Sequence, residues 1–94
     1  MPSRTLNRMR EKVRRREHVM TLHAEEEMDE DGLTIFDVES VILTGEIIDR
    51  QREPQTKVRK YVVRGQTLSG DEIAAVVTKF GPTGKLVIIT VYAE

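Results

Sequence analysis

The chain contains no cysteine, only three prolines and six glycines among 94 residues, and almost no excess of either charge, with a formal net charge of −1. Without thiols, neither a disulfide framework nor a thiolate metal centre can form, which fits a reducing compartment. No apolar run approaches the roughly 18 residues that span a bilayer. The basic N-terminal stretch is not followed by the apolar segment of a secretory leader. The expectation is a cytoplasmic protein that does not associate with membranes. A glycine-rich phosphate loop, a serine nucleophile elbow and a dinucleotide-binding fingerprint are all absent. Internal repeats and low-complexity segments are absent too. At this length a folded chain buries about 60–65% of the surface that its unfolded form exposes, enough for one modest core. One domain over residues 1–94 is expected.

What the chain does have is charge, at 33% of residues, against a common share of about 25%. The small net value conceals segregation. Met1 to Leu22 carries seven basic and two acidic side chains, His23 to Glu39 eight acidic and none basic, and Arg50 to Arg64 six basic and one acidic. Blocks of alternating sign predict distinct electrostatic faces.

Hydropathy patterning divides the chain into a helical first half and a strand-rich second half. Leu6, Met9 and Val13 share one face of a basic helix over 4–17. Residues 18–22 read as a short extended or turn-like segment. Thr21 caps a second helix over 22–30, whose early carboxylates Glu25, Glu26 and Glu27 suit the positive end of the helix dipole. Gly32 ends it. Thr34 and Asp37 form a capping signal for a third helix over 35–43, with Ile35, Val38, Val41 and Ile42 as its buried stripe and Gly45 as its stop. Four strands are then predicted: 46–52 at an edge limited by Pro54, 57–65, 72–80 and 86–92. The last is apolar enough for a central position. Short connections favour antiparallel pairing. The predicted fold is α+β, with N-terminal helices on a small antiparallel sheet of three to four strands over 46–92.

Few residues can carry chemistry. His23 heads the acidic helix and is a candidate general acid or base; a helix-start histidine bonded to a neighbour is the blander alternative. With Glu27 it supplies two potential ligands where a zinc site wants about four, so neither metal nor cofactor is expected. Thr90 and Tyr92 point to one side near the end of the last strand, where a hydroxyl can orient a phosphate or donate a proton to it. Alternation along 57–65 places Lys57, Arg59 and Tyr61 on one face, suited to phosphates and a stacked base, and Arg64 on the other. A charged outer face that keeps a sheet soluble explains the same cations equally well.

Several segments together carry a resemblance: Thr21-Leu22-His23-Ala24 with Glu27-Met28, Asp31-Gly32-Leu33-Thr34, Gly45-Glu46-Ile47-Ile48, Tyr61-Val62-Val63, and Leu86 through Tyr92. From about Leu6 onward the chain resembles a widespread bacterial family catalogued as a domain of unknown function. That family is similar to the RelE- and BrnT-like toxins. The resemblance implies a RelE-like fold, metal-independent endoribonuclease activity, RNA as substrate and a cognate antitoxin as partner. It points to His23, Thr90 and Tyr92 as the catalytic positions; the charge pattern of the hairpin, independently of the resemblance, adds Lys57, Arg59, Tyr61 and Arg64 as the RNA-binding residues. The chain departs from the pattern at Glu27, where many relatives carry arginine, and its pI of about 6.1 is low for a protein that binds phosphates. The alternative from a different class is a non-enzymatic module for protein interaction or self-association into a homo-oligomer through complementary charged patches.

Overall fold

The structure, a computed structural model, describes residues 3–94; Met1 and Pro2 of the expected domain lie outside the described residues. Helix α1 covers Arg4–Arg14, capped by the Ser3 hydroxyl, which accepts the Leu6 amide at 3.2 Å. It buries Leu6, Met9 and Val13, each contributing about 1.5–3 kcal/mol when fully removed from water. The helix ends three residues before the predicted 17 because Arg16 turns left-handed, with φ 56°. Next comes β1, His18–Met20, then α2, Leu22–Asp31, and α3, Ile35–Thr44. Thr21 caps α2 through the Ala24 amide, and Gly32 closes it at φ 68°. Thr34 and Asp37 form the full reciprocal capping box of α3. Strands β2 (Glu46–Arg52), β3 (Arg59–Gln66), β4 (Ile73–Phe80) and β5 (Leu86–Ala93) follow.

The fold is α+β, as the patterning predicts, but the sheet has five strands in the order β1-β5-β4-β3-β2 and is mixed. The expectation of three to four antiparallel strands is corrected by β1, which pairs parallel with β5 from His18–Leu86 to Met20–Ile88. Three residues are too few to show alternation, so the extended or turn-like reading of 18–22 stops short of a paired strand. The centre of the sheet is therefore β4, and β5 lies between it and β1. Within β5, Leu86, Ile88 and Val91 are buried, while Val87, Ile89 and Thr90 are half-buried.

The helices cover one face of the sheet. Between the layers lie Leu6, Met9, Val13, Ala24, Met28, Val38, Val41 and Ile42 from the helical side. Val63, Ala74, Val76, Leu86, Ile88 and Val91 meet them from the strands. Helix α3 approaches β3 backbone to backbone. A Cβ on Gly65 would stand 2.4 Å from the Val41 carbonyl oxygen, and one on Gly45 would stand 2.3 Å from that of Arg64. Arg10 of α1 then covers the end of α3, donating from Nε to the Ile42 carbonyl (3.1 Å) and from Nη2 to that of Gly45 (2.9 Å). Those carbonyls would otherwise lack intrahelical partners.

Candidate nucleic-acid interface

The β2–β3 hairpin and α1 enclose a basic groove on the helix-covered face. Arg50 pairs with Tyr61 and Arg52 with Arg59 across the two strands. Directly opposed residues share a face of a sheet, so all four project to one side. That side is the core side, because Tyr61 packs against the core cluster. A cavity of about 230 Å³ is lined by Thr5, Arg50, Gln51, Arg52, Arg59 and Tyr61. It continues through Arg50 into a larger depression of about 540 Å³, whose lining includes Ser3, Arg10, Thr44 and Glu46. The Tyr61 ring meets Phe80 edge-on at 6.4 Å. The guanidinium of Arg8 lies 4.2 Å from the centre of the Phe80 ring. Tyr61 is thus the aromatic residue that lines the groove among exposed cations, and Phe80 backs its ring.

Among the described residues Arg50, Arg52 and Arg59 form no ion pair. The other hairpin cations differ. Lys60 pairs with Glu53, whose carboxyl is held below its ordinary range chiefly by that hydrogen bond and secondarily by Thr56. Arg64 pairs with Glu94.

The expected RNA-binding set is therefore divided. Arg59 and Tyr61 line the groove, joined by Arg50 and Arg52. In the sequence those two stand only as part of a basic run; alternation counted across the hairpin from Tyr61 is the signal that places them. Lys57 does not share the strand face assigned to it. It precedes β3, in the left-handed region at φ 59°, and its amide donates to the Glu53 carbonyl. Arg64 lies on the opposite, helix-free face, in one row with Ala75 and Tyr92.

The expected catalytic set gathers at the other side of the sheet. His23 is exposed at the start of α2, with Nε2 3.2 Å from Oε1 of Glu27. That carboxylate also accepts the Val91 amide at 3.2 Å, and Asp31 accepts the Ala93 amide at 3.1 Å. The spacing explains the acidic helix. Residues four apart on a helix are separated by about 6 Å, and residues two apart on a strand by about 6.8 Å. Glu27 and Asp31 thus take over where β1 ends, satisfying amides that a neighbouring strand would otherwise pair. His23 reaches Val91 through Glu27, between Thr90 and Tyr92 in the chain. Tyr92 is exposed on the helix-free face. Strands β4 and β3 separate β5 from β2, a distance of about 14 Å at ordinary strand spacing. The structure brings His23, Thr90 and Tyr92 toward one end of β5, and does not bring them to the arginine groove. Among the described residues no group of three or more potential metal ligands assembles, and no helix is long and apolar enough to cross a membrane.

A family model described as "Domain of unknown function (DUF4258)" matches residues 20–93. The chain belongs to the DUF4258 family. The DUF4258 match runs from the last residue of β1 through β5 and leaves out α1, the helix whose Thr5 lines the groove. The resemblance read from the sequence began earlier, at about Leu6. No curated protein and no solved structure matches the chain.

Proposed function

We propose that this DUF4258 domain binds RNA through the groove between α1 and the β2–β3 hairpin, in the manner of a RelE- or BrnT-like module. The observation that carries this reading is the convergence of Arg50, Arg52 and Arg59 on one concave surface, where they form no ion pair among the described residues. Arg52 and Arg59 are directly opposed, an arrangement of like charges that weakens strand pairing. A phosphate backbone relieves that repulsion and releases counterions as it binds. Tyr61 supplies an aromatic surface of the kind on which bases stack.

The test is a titration of a labelled single-stranded RNA at several salt concentrations. Binding should weaken with salt, and replacing each arginine by glutamine should reduce the log–log salt slope by about 1. Unchanged binding in the Arg50/Arg52/Arg59→Gln variant would remove the groove from the proposal.

Metal-independent endoribonuclease activity is a second reading, favoured by the contact between His23 and Glu27 beside Thr90 and Tyr92. A carboxylate can orient an imidazole for proton transfer at a ribose hydroxyl. RNA incubated with the protein and a chelator should then be cleaved, and His23→Ala with Tyr92→Phe should abolish cleavage. Cleavage that persists in the double variant would refute these assignments without affecting the binding test.

A further inference from the structure

Helix α3 is apolar on two sides. Val38, Val41 and Ile42 face the core, while Phe36 and Leu43 face away from it, 53% and 39% exposed. A second apolar side on a helix is ordinarily covered; here the outer side is left exposed. Leu68, 67% exposed at the β3–β4 turn, closes this side into a cavity of about 210 Å³ together with Phe36, Glu39, Ser40, Leu43 and Thr44. The arrangement is preformed, because the Leu68 amide donates to Asp37 at 3.0 Å and so fixes the turn to the start of α3. Three of the seven exposed large apolar residues of the described chain meet here.

Apart from the His18 imidazole, whose Nε2 lies 3.9 Å from the Glu39 carboxylate, the charge around the cavity has one sign. Glu39 lines it, Asp37 holds its flank, and Asp71 and Glu72 follow Leu68 on the turn; no lysine or arginine is among the lining residues. Hydrogen bonds from the Thr34 backbone, and secondarily from Leu68 and the Thr34 side chain, hold the Asp37 carboxyl below its ordinary range despite partial burial, so it is ionised at neutral pH. The site lies on α3 and the β3–β4 turn and adjoins the larger depression at Thr44, which lines both; it shares no residue with the arginine-lined cavity.

We infer that the cavity formed by Phe36, Leu43 and Leu68 docks an amphipathic helix of another protein, with an apolar ridge flanked by lysine or arginine. The apolar positions run along one helix beside a turn, which suits a ridge of side chains at helical spacing. The acidic rim selects basic flanks and disfavours acidic ones.

The test uses two labelled synthetic 16-residue peptides, each with a leucine ridge at helical spacing, one with lysine flanks and one with glutamate flanks. Titrated with the full chain, the lysine peptide should bind at least tenfold more tightly than the glutamate peptide. Phe36→Ser with Leu68→Ser should weaken its binding at least tenfold. Both side chains are exposed, so an unchanged thermal melt is expected, and Leu43→Ser provides an independent variant. Asp71→Asn with Glu72→Gln should narrow the difference between the peptides. Equal binding of both peptides would overturn the inference. So would lysine-peptide binding that survives the serine variants, which would place it on another acidic surface such as α2. A dimer in sedimentation that the serine variants dissociate would also overturn it, in favour of a second copy as the occupant.

Discussion

The two sides of the sheet treat charge in opposite ways. At the β2 side, Arg50, Arg52 and Arg59 stand together, form no ion pair among the described residues and line a groove. At the β5 side, Glu27 and Asp31 from the most acidic segment of the chain accept backbone amides of a strand whose neighbour has ended. Counted along the sequence, the blocks look equivalent and nearly cancel. In the fold, one block remains available to a ligand, whereas part of the other is committed to the architecture. Net charge and pI are consequently poor guides to what this surface can bind, because they weigh a carboxylate bonded to the backbone equally with a free guanidinium.

The most direct way to break the comparison is to neutralise each side in turn. Replacing Arg50, Arg52 and Arg59 by glutamine should cost roughly a hundredfold in RNA affinity, the sum of three lost phosphate contacts. Replacing the exposed Glu25, Glu26 and Asp29 by their amides should change affinity by less than about threefold, since charges beyond about 8 Å are screened at physiological salt. Comparable effects from both sets, read by anisotropy titration, would abolish the distinction.

Stability should show the reverse ranking. Glu27→Ala leaves the Val91 amide without its acceptor and should cost about 1–3 kcal/mol in urea unfolding. Glu27→Gln keeps an acceptor oxygen and should recover part of that loss. Arg50→Gln should stay within about 0.5 kcal/mol of the parent.

A third carboxylate tied to backbone sharpens the point. Asp37 accepts the Thr34 amide at 2.8 Å and the Leu68 amide at 3.0 Å, and Asp37→Asn should cost about 1 kcal/mol at neutral pH, as loss of a cap does. The folded protein holds the Asp37 carboxyl below its unfolded range, with the Thr34 backbone as the leading cause. The stability it adds is therefore complete above the ordinary carboxylate range and lost as pH falls through the depressed folded value. Melts of parent and variant should converge at acid pH; a gap that persists there would assign the effect to packing. Smallest of all, Arg64→Gln should cost no more than about 0.5 kcal/mol, because its pairing with Glu94 is on the surface.

Much of this architecture was legible in the sequence because it rests on local chemistry. Thr21 with Gly32 and Thr34 with Asp37 bracket α2 and α3 through their own hydroxyl, carboxylate and left-handed preferences, and the two stripes Leu6-Met9-Val13 and Val38-Val41-Ile42 identify the core faces. The features that escaped prediction depend on distant partners. His18–Met20 becomes a strand only because β5 is there to pair with it. Lys57 leaves its expected face because the hairpin connection extends to Val58. Of the candidate site, Arg59 and Tyr61 were found by alternation within one strand. Their neighbours Arg50 and Arg52 required the register between two strands. The role of Glu27 required the knowledge that β1 stops short of Val91.

The parallel pairing of β1 with β5 also has a consequence for how the molecule assembles. His18 meets Leu86 and Met20 meets Ile88, so the sheet cannot be completed until the chain has been synthesised through Ile88. Contacts of such long sequence separation raise the relative contact order and slow folding. During translation the β2–β3 hairpin can form early, whereas β1 stays unpaired until β5, the later strand, reaches it. A refolding phase slowed by substitutions in His18–Met20, but not by those in the β2–β3 connection, would mark that closing step.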